Sequence, residues 1–132
     1  MVIDSSALVA ILLGEPEAEV FVPVIDEDPN RLVSAFSALE AGIVIEARKG
    51  ESGGRELDLL LHRAGIEIVP LTAEQIEIAR TAWRKYGKGR HPAGLNIGDC
   101  CSYALAKLAG EPLLFKGSDF SQTDIEAAYL PC

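Results

Sequence analysis

Leu95-Asn96-Ile97-Gly98-Asp99-Cys100-Cys101-Ser102-Tyr103-Ala104-Leu105-Ala106-Lys107 predicts a helix with an acid at its own beginning. Asn96 suits the N-cap, where its side-chain oxygen accepts from a free amide of the first turn. Asp99 falls within that turn, where the helix dipole favours negative charge. Cys101, Ala104, Leu105 and Leu108 recur at helical spacing and form a face to be buried. Gly98 leaves room for something close to the backbone. Gly110 closes the helix, and Leu113-Leu114-Phe115 follows at once as a strand. A helix handed straight to a strand is half of a βαβ unit.

The rest of the chain repeats that alternation. Val2-Ile3 is a very short strand ended by Asp4. Ser5 to Leu13 is a helix with Leu8, Ile11 and Leu12 inward, closed by Gly14. Residues 15–28 form a second helix on Ala18, Phe21, Val22 and Ile25, with Pro23 as a flaw in it. After the turn at Asp28-Pro29-Asn30, residues 31–35 are a strand. Residues 36–48 form a helix whose apolar side carries Phe36, Leu39, Ile43, Val44 and Ala47. A loop over residues 50–54 leads to a helix from about Arg55 to Ala64. Residues 66–71 make a third strand, ended by Pro70. Residues 72–86 form a helix with Thr72 and Gln75 as a capping box and a buried stripe of Ile76, Ala79, Trp83 and Tyr86. Residues 116–123 read as a loop, and residues 127–130 as a fifth, edge strand. Such alternation implies right-handed crossovers. The expected fold is a single α/β domain over residues 1–132, with a short, mostly parallel central sheet of four to five strands flanked by helices.

Composition agrees with one domain. The 132 residues are 48% apolar, enough for a real core. The apolar run over residues 7–13 is far too short for a membrane span, and Asp4 stands where a signal peptide would carry positive charge. The expectation is a cytoplasmic protein. Three cysteines, an odd number with Cys100 and Cys101 adjacent, do not make a disulfide framework. With only His62 and His91, and no Cys/His ligand spacing, the sequence argues against a zinc site. The net charge of −8 argues against a nucleic-acid partner until its distribution is read. Residues 1–30 carry acids and no Lys or Arg, whereas residues 80–116 carry seven bases against Asp99 and Glu111. A polarised domain can present a basic face to phosphates.

Four acids stand out. Ligands of a parallel sheet gather outside the carboxyl ends of its strands. Asp4 directly follows the first strand, Asp119 lies four residues past Phe115, and Asp99 begins a helix on the same edge. Glu40 lies four residues after Phe36 and four before Val44, on or beside the buried stripe, where an acid is costly unless paired or bound to a cation. Each alone has a structural reading: a helix cap, a turn residue, a snorkelling side chain. Together they are harder to dismiss, since Asp4, Asp99 and Glu40 have no strongly basic neighbour in sequence. Two carboxylates at 4 Å repel by about 4 kcal/mol at an effective dielectric of ~20. A hard divalent cation relieves that repulsion, and all-oxygen ligands favour Mg²⁺ or Mn²⁺.

Asp4-Ser5-Ser6-Ala7, Ser37-Ala38-Leu39-Glu40, Asn96-Ile97-Gly98-Asp99-Cys100 and Leu113-Leu114-Phe115-Lys116-Gly117-Ser118-Asp119-Phe120 follow the order and spacing of PIN domains. The pattern most resembles the VapC toxins of bacterial toxin–antitoxin pairs, over essentially the whole chain. The resemblance implies an Mg²⁺- or Mn²⁺-dependent endoribonuclease that hydrolyses phosphodiester bonds with a water activated by the cation. It matches Asp4, Glu40, Asp99 and Asp119 to the family's acidic quartet, with Asp4, Asp99 and Asp119 as metal ligands. Ser5 matches its hydroxyl after the first Asp, and Asn96 its polar helix-start residue. It also implies an RNA substrate, a cognate VapB-type antitoxin lying across the active-site groove, and a homodimer.

The basic run Arg84-Lys85-Tyr86-Gly87-Lys88-Gly89-Arg90-His91 leads straight to the Asp99 helix. Arg84, Lys85, Lys88 and Arg90 would draw in a phosphate backbone, and Tyr86 or His91 would stack on an unpaired base. Two other classes compete. One is a PIN-like module that binds RNA or a partner without cutting, against which the intact quartet argues. The other is a phosphohydrolase of the haloacid dehalogenase type with Asp4 as nucleophile, which wants a second Asp where this chain has Ser6.

Overall fold

Neighbouring residues of a strand point to opposite faces of its sheet, and two apolar cores follow from that alternation. The computed structural model describes residues 1–130; Cys132, the third cysteine, lies outside them. Four strands, β1 (Val2–Ile3), β2 (Leu32–Ser34), β3 (Glu67–Val69) and β4 (Leu113–Leu114), pair in parallel in the order β3-β2-β1-β4. On one face Ile3, Val33 and Leu114 pack with Leu8, Phe21, Ala41, Leu57 and Leu61. These come from α1 (Ser5–Leu12), α2 (Ala18–Glu27), α3 (Ala35–Lys49) and α4 (Glu51–Arg63). On the other face Val2 and Leu113 pack with Ala82, Tyr86, Tyr103 and Leu105 of α5 (Ala73–Tyr86) and α6 (Ile97–Ala109). The expected α/β sheet between helical layers is therefore present, and entirely parallel. Its strand order reverses at β1, with β2 on one side and β4 on the other, and the carboxyl ends of strands at such a switch are where ligands of parallel sheets gather.

Several sequence expectations are corrected. The fifth strand is absent: Ala127 meets Leu113 in one isolated parallel bridge, because β4 is itself only two residues long. The loop over residues 116–123 contains a 3₁₀ turn, Asp119–Gln122. The second helix starts at Ala18, not residue 15, and keeps Pro23 inside it. Helix α4 starts at Glu51 and takes in Gly53 and Gly54, both expected in a loop. A Cβ added at Gly53 would lie 2.6 Å from Ile45 Cγ2, so close approach to α3 selects glycine there against its poor helix propensity.

The inward faces of α3 and α5 are rotated from those expected. Ser37, Ala41 and Ile45 are buried on α3, while Leu39 and Ile43 are 62% and 60% exposed. On α5, Gln75, Ala82 and Tyr86 are buried, while Ile76 and Trp83 are 46% and 45% exposed. Leu108 of α6 also faces out. The α5 capping box is half made. Thr72 accepts from the Gln75 amide, but the Gln75 side chain turns inward and donates to Pro70 O at 3.0 Å. No helix among the described residues is long and apolar enough to cross a membrane.

Candidate active site

Chain reversal at the ends of strands supplies the site. Asp4 follows β1 and caps α1, its Oδ2 accepting from Ser6 N at 3.0 Å. It is nearly fully buried, and its Oδ1 accepts from Ser102 Oγ at 2.5 Å. Asn96 caps α6 as expected. Its Oδ1 accepts from Asp99 N at 2.9 Å, and Asp99 Oδ2 accepts from Asn96 N at 3.0 Å. This capping box ties one oxygen of Asp99 and orients the carboxyl at the helix start. Glu40, partly buried on α3, takes Ser5 Oγ on its Oε1 at 2.6 Å. Its head lies against the first turn of α6: a Cβ at Gly98 would stand 2.6 Å from Oε1 and 2.7 Å from Oε2. The room that Gly98 leaves is filled by Glu40. Asp119 opens the 3₁₀ turn after β4, which is anchored by buried Phe120, its ring tilted against that of Phe115 with centroids 5.1 Å apart. Ser6 Oγ accepts from Lys116 N at 3.0 Å and so ties that loop to α1.

The charges converge. The Asp99 carboxyl is pushed up to about 6, chiefly by burial. The Asn96 amide works against that rise, and the negative charges of Asp4, Asp119 and Glu40 add to it. No base appears among these influences, and none of the four acids makes an ion pair among the described residues. No three of them are drawn into a closed ligand shell among the described residues. The donor set is nonetheless all oxygen, uncompensated and anionic, which fits a hard divalent cation and not zinc.

The basic run divides. Arg84, Lys85, Lys88 and Arg90 are all exposed, and none pairs with an acid among the described residues. Arg84 and Lys88, with Arg80, edge a groove of about 620 Å³ walled by Phe36, Leu71, Ile76, Trp83 and Ile97 and reaching Asn96. Lys85 and Arg90 do not line it. The Arg90 guanidinium instead lies over Trp83, 4.7 Å from the ring centroid, and Lys85 Nζ lies 5.2 Å from that of Tyr86. Tyr86 is buried and cannot stack on a base, a correction to the sequence reading. His91 is held too, its Nδ1 accepting from Ala93 N and its ring edge-on to Tyr86. Sequence reading passed over Ser37, Ser6 and Ser102. The signal available was Ser102 itself, three residues after Asp99 in an otherwise apolar helix.

A family model described as PIN domain matches residues 1–126. Ribonuclease VapC30 of Mycobacterium tuberculosis is 60% identical over 131 residues, 99% of this chain and 100% of the relative. Among solved structures, VapC20 of Mycobacterium tuberculosis, described as a sarcin–ricin loop cleaving toxin, superposes with a TM-score of 0.76 at 16% identity, covering 94% of this chain and 95% of that one. A toxin–antitoxin complex from Klebsiella pneumoniae gives a TM-score of 0.74 at 16% identity, covering 97% of each chain.

Proposed function

The chain belongs to the PIN-domain family, among its VapC ribonucleases, and from that premise we propose that Asp4, Glu40, Asp99 and Asp119 are the acids with which it cuts RNA. It is an endoribonuclease of the toxin class. The observation that carries the site is geometric: Asp4 after β1, Asp99 in the first turn of α6, the Glu40 head against that turn at Gly98, and Asp119 after β4 meet on one edge of the sheet with no ion pair among the described residues. One PIN domain over residues 1–132 carries the activity, and Mg²⁺ or Mn²⁺ is the cation.

Asp4 and Asp99 would hold that cation directly, with Asp119 completing a second position and Asn96 and Ser5 in support. When bound, the cation would neutralise charge on the phosphodiester and lower the pKa of an attacking water. Glu40 has one oxygen on Ser5 and the other available to orient that water. Arg84, Lys85, Lys88 and Arg90 hold the RNA backbone. No histidine is placed to deprotonate a ribose 2′-hydroxyl: His91 Nδ1 is engaged by Ala93, and His62 is exposed near the end of α4. In this reading water is the nucleophile. The products are expected to carry 5′-phosphate and 3′-hydroxyl ends. Cleavage is expected to stop in EDTA and return with Mg²⁺ or Mn²⁺. Mapping the ends of RNA cut by the purified protein tests this; cyclic-phosphate ends or persistence in EDTA would overturn it.

Its counterparts in the cytoplasm are RNA and a VapB-type antitoxin, and it pairs with a second copy of itself. The exposed Leu39, Ile43, Ile76, Trp83 and Ile97 support such contacts, since a lone chain gains nothing from showing them. Removing Arg84, Lys85, Lys88 and Arg90 together is expected to weaken RNA binding and flatten its salt dependence. For single strands each lost phosphate contact lowers the log–log slope by roughly 0.7, so four contacts lower it by up to about 3. Binding isotherms from low to high salt read this directly, and an unchanged slope would remove these residues from the RNA path.

A further inference from the structure

Two serines from different helices end on Asp4. Ser102 Oγ of α6 lies 2.5 Å from Asp4 Oδ1, and 3.0 Å from Ser37 Oγ of α3. Both serines are wholly buried. Either hydroxyl of the serine pair could donate by distance alone, but chemistry sets the direction. Ser102 Oγ donates to Asp4 Oδ1, so Ser102 spends its single proton there. Ser37 must then donate to Ser102. The result is a one-way chain, Ser37 to Ser102 to Asp4, in which each bond polarises the next.

Packing does not require this arrangement. Alanines at both positions would fill most of the same space without burying hydroxyls, which are tolerated in a core only when satisfied. Asp4 needs no further donor to cap α1, because Ser6 N on Oδ2 already serves that end. The second bond therefore acts on the free half of the carboxylate. With two of about four acceptor positions occupied, those left are confined to one orientation.

We propose that Ser102, backed by Ser37, is a positioning residue that locks the Asp4 carboxylate for divalent-cation binding. The inference rests on the reading of Asp4 as a ligand given above. Partners that orient a metal ligand are worth roughly 10–100-fold in metal affinity.

The test is calorimetric titration of the purified chain with Mn²⁺ alone, without RNA, alongside melting of the metal-free proteins. Ser102→Ala is expected to weaken Mn²⁺ binding at least about tenfold. Ser37→Ala is expected to weaken it by less. The double variant is expected to match Ser102→Ala, because Ser37 acts only through Ser102. Loss of packing alone would lower the melting temperatures and leave the Mn²⁺ dissociation constant where it was. A folded Ser102→Ala chain with the parent's Mn²⁺ affinity, or serine effects that simply add, would overturn the proposal. If Ser102→Ala does not fold, Ser37→Ala decides: an unchanged affinity overturns it. A parent chain that binds no Mn²⁺ would overturn the site reading itself, a failure distinct from that of the serines.

Discussion

Asp4→Asn is expected to lower RNA cleavage on the order of a thousandfold or more while leaving the fold in place. The loss follows from charge. Stabilising the transition state by a held cation is worth several kcal/mol, and each 1.36 kcal/mol is tenfold in rate. The survival of the fold follows from the hydrogen bonds. The Asn oxygen can still accept from Ser6 N and so keep α1 capped. Its amide can then donate to Ser102 Oγ, and Ser102 can turn its proton to Ser37, so no buried polar atom is stranded. Single-turnover cleavage and melting of the same preparations read the two effects separately. Expressed alone, the parent is expected to arrest growth and the Asp4→Asn form is not. Cleavage that persists in a folded Asp4→Asn chain would show that the quartet is not the catalytic centre.

The second large effect is on stability. The Asp99 carboxyl is raised from 3.8 to about 6 in the fold, so the folded chain holds that proton more tightly than the unfolded one. The stabilisation is fully present below the unfolded value and is lost as pH rises through about 6. The metal-free parent is therefore expected to melt lower at pH 7 than at pH 4.5 on this account. Asp99→Asn is expected to lack that part of the slope and to melt higher than the parent at pH 7. Cation at 100-fold excess over its dissociation constant adds about 2.7 kcal/mol, on the order of 10 °C for a chain this long. Asp99→Asn should blunt that rise. Scanning calorimetry with and without Mn²⁺ measures all of these, and a metal-independent melting temperature in the parent would count against the site.

Asp4, Asp99 and Asp119 were legible as candidates because each stands at a place the chain itself marks: after Val2-Ile3, at the Asn96 cap, after Leu113-Leu114-Phe115; Glu40 was read only from its position beside an apolar stripe of its helix. Alternation of strands and helices was legible for the same reason, since caps and closing glycines punctuate it. The inward faces of α3 and α5 were not. Leu39, Ile43, Ile76 and Trp83 hold helical spacing as well as the buried set does, and nothing local says that they face outward. Gly53 and Gly54 read as a loop because the contact that selects Gly53, with Ile45, is made only after α3 and α4 pack. Ser37 and Ser102 carried no reading of their own in the sequence, because nothing local ties either to Asp4. Their bond spans 65 positions and exists only in three dimensions.

Gly98 has a genetic consequence. Every missense change one base away from a glycine codon adds a side chain, and at this position any Cβ collides with the Glu40 carboxylate. The collision falls on the Glu40 carboxylate of the proposed site and is expected to spare folding, for alanine is the better helix former by about 1 kcal/mol. A gene whose product arrests its own host is under pressure to be silenced. At Gly98 that needs one nucleotide and leaves a folded, soluble chain. Colonies that survive induction should include lesions at codon 98 that leave the protein at its parent level in the cell. Recovered Gly98→Ala protein should melt no lower than the parent and cut poorly.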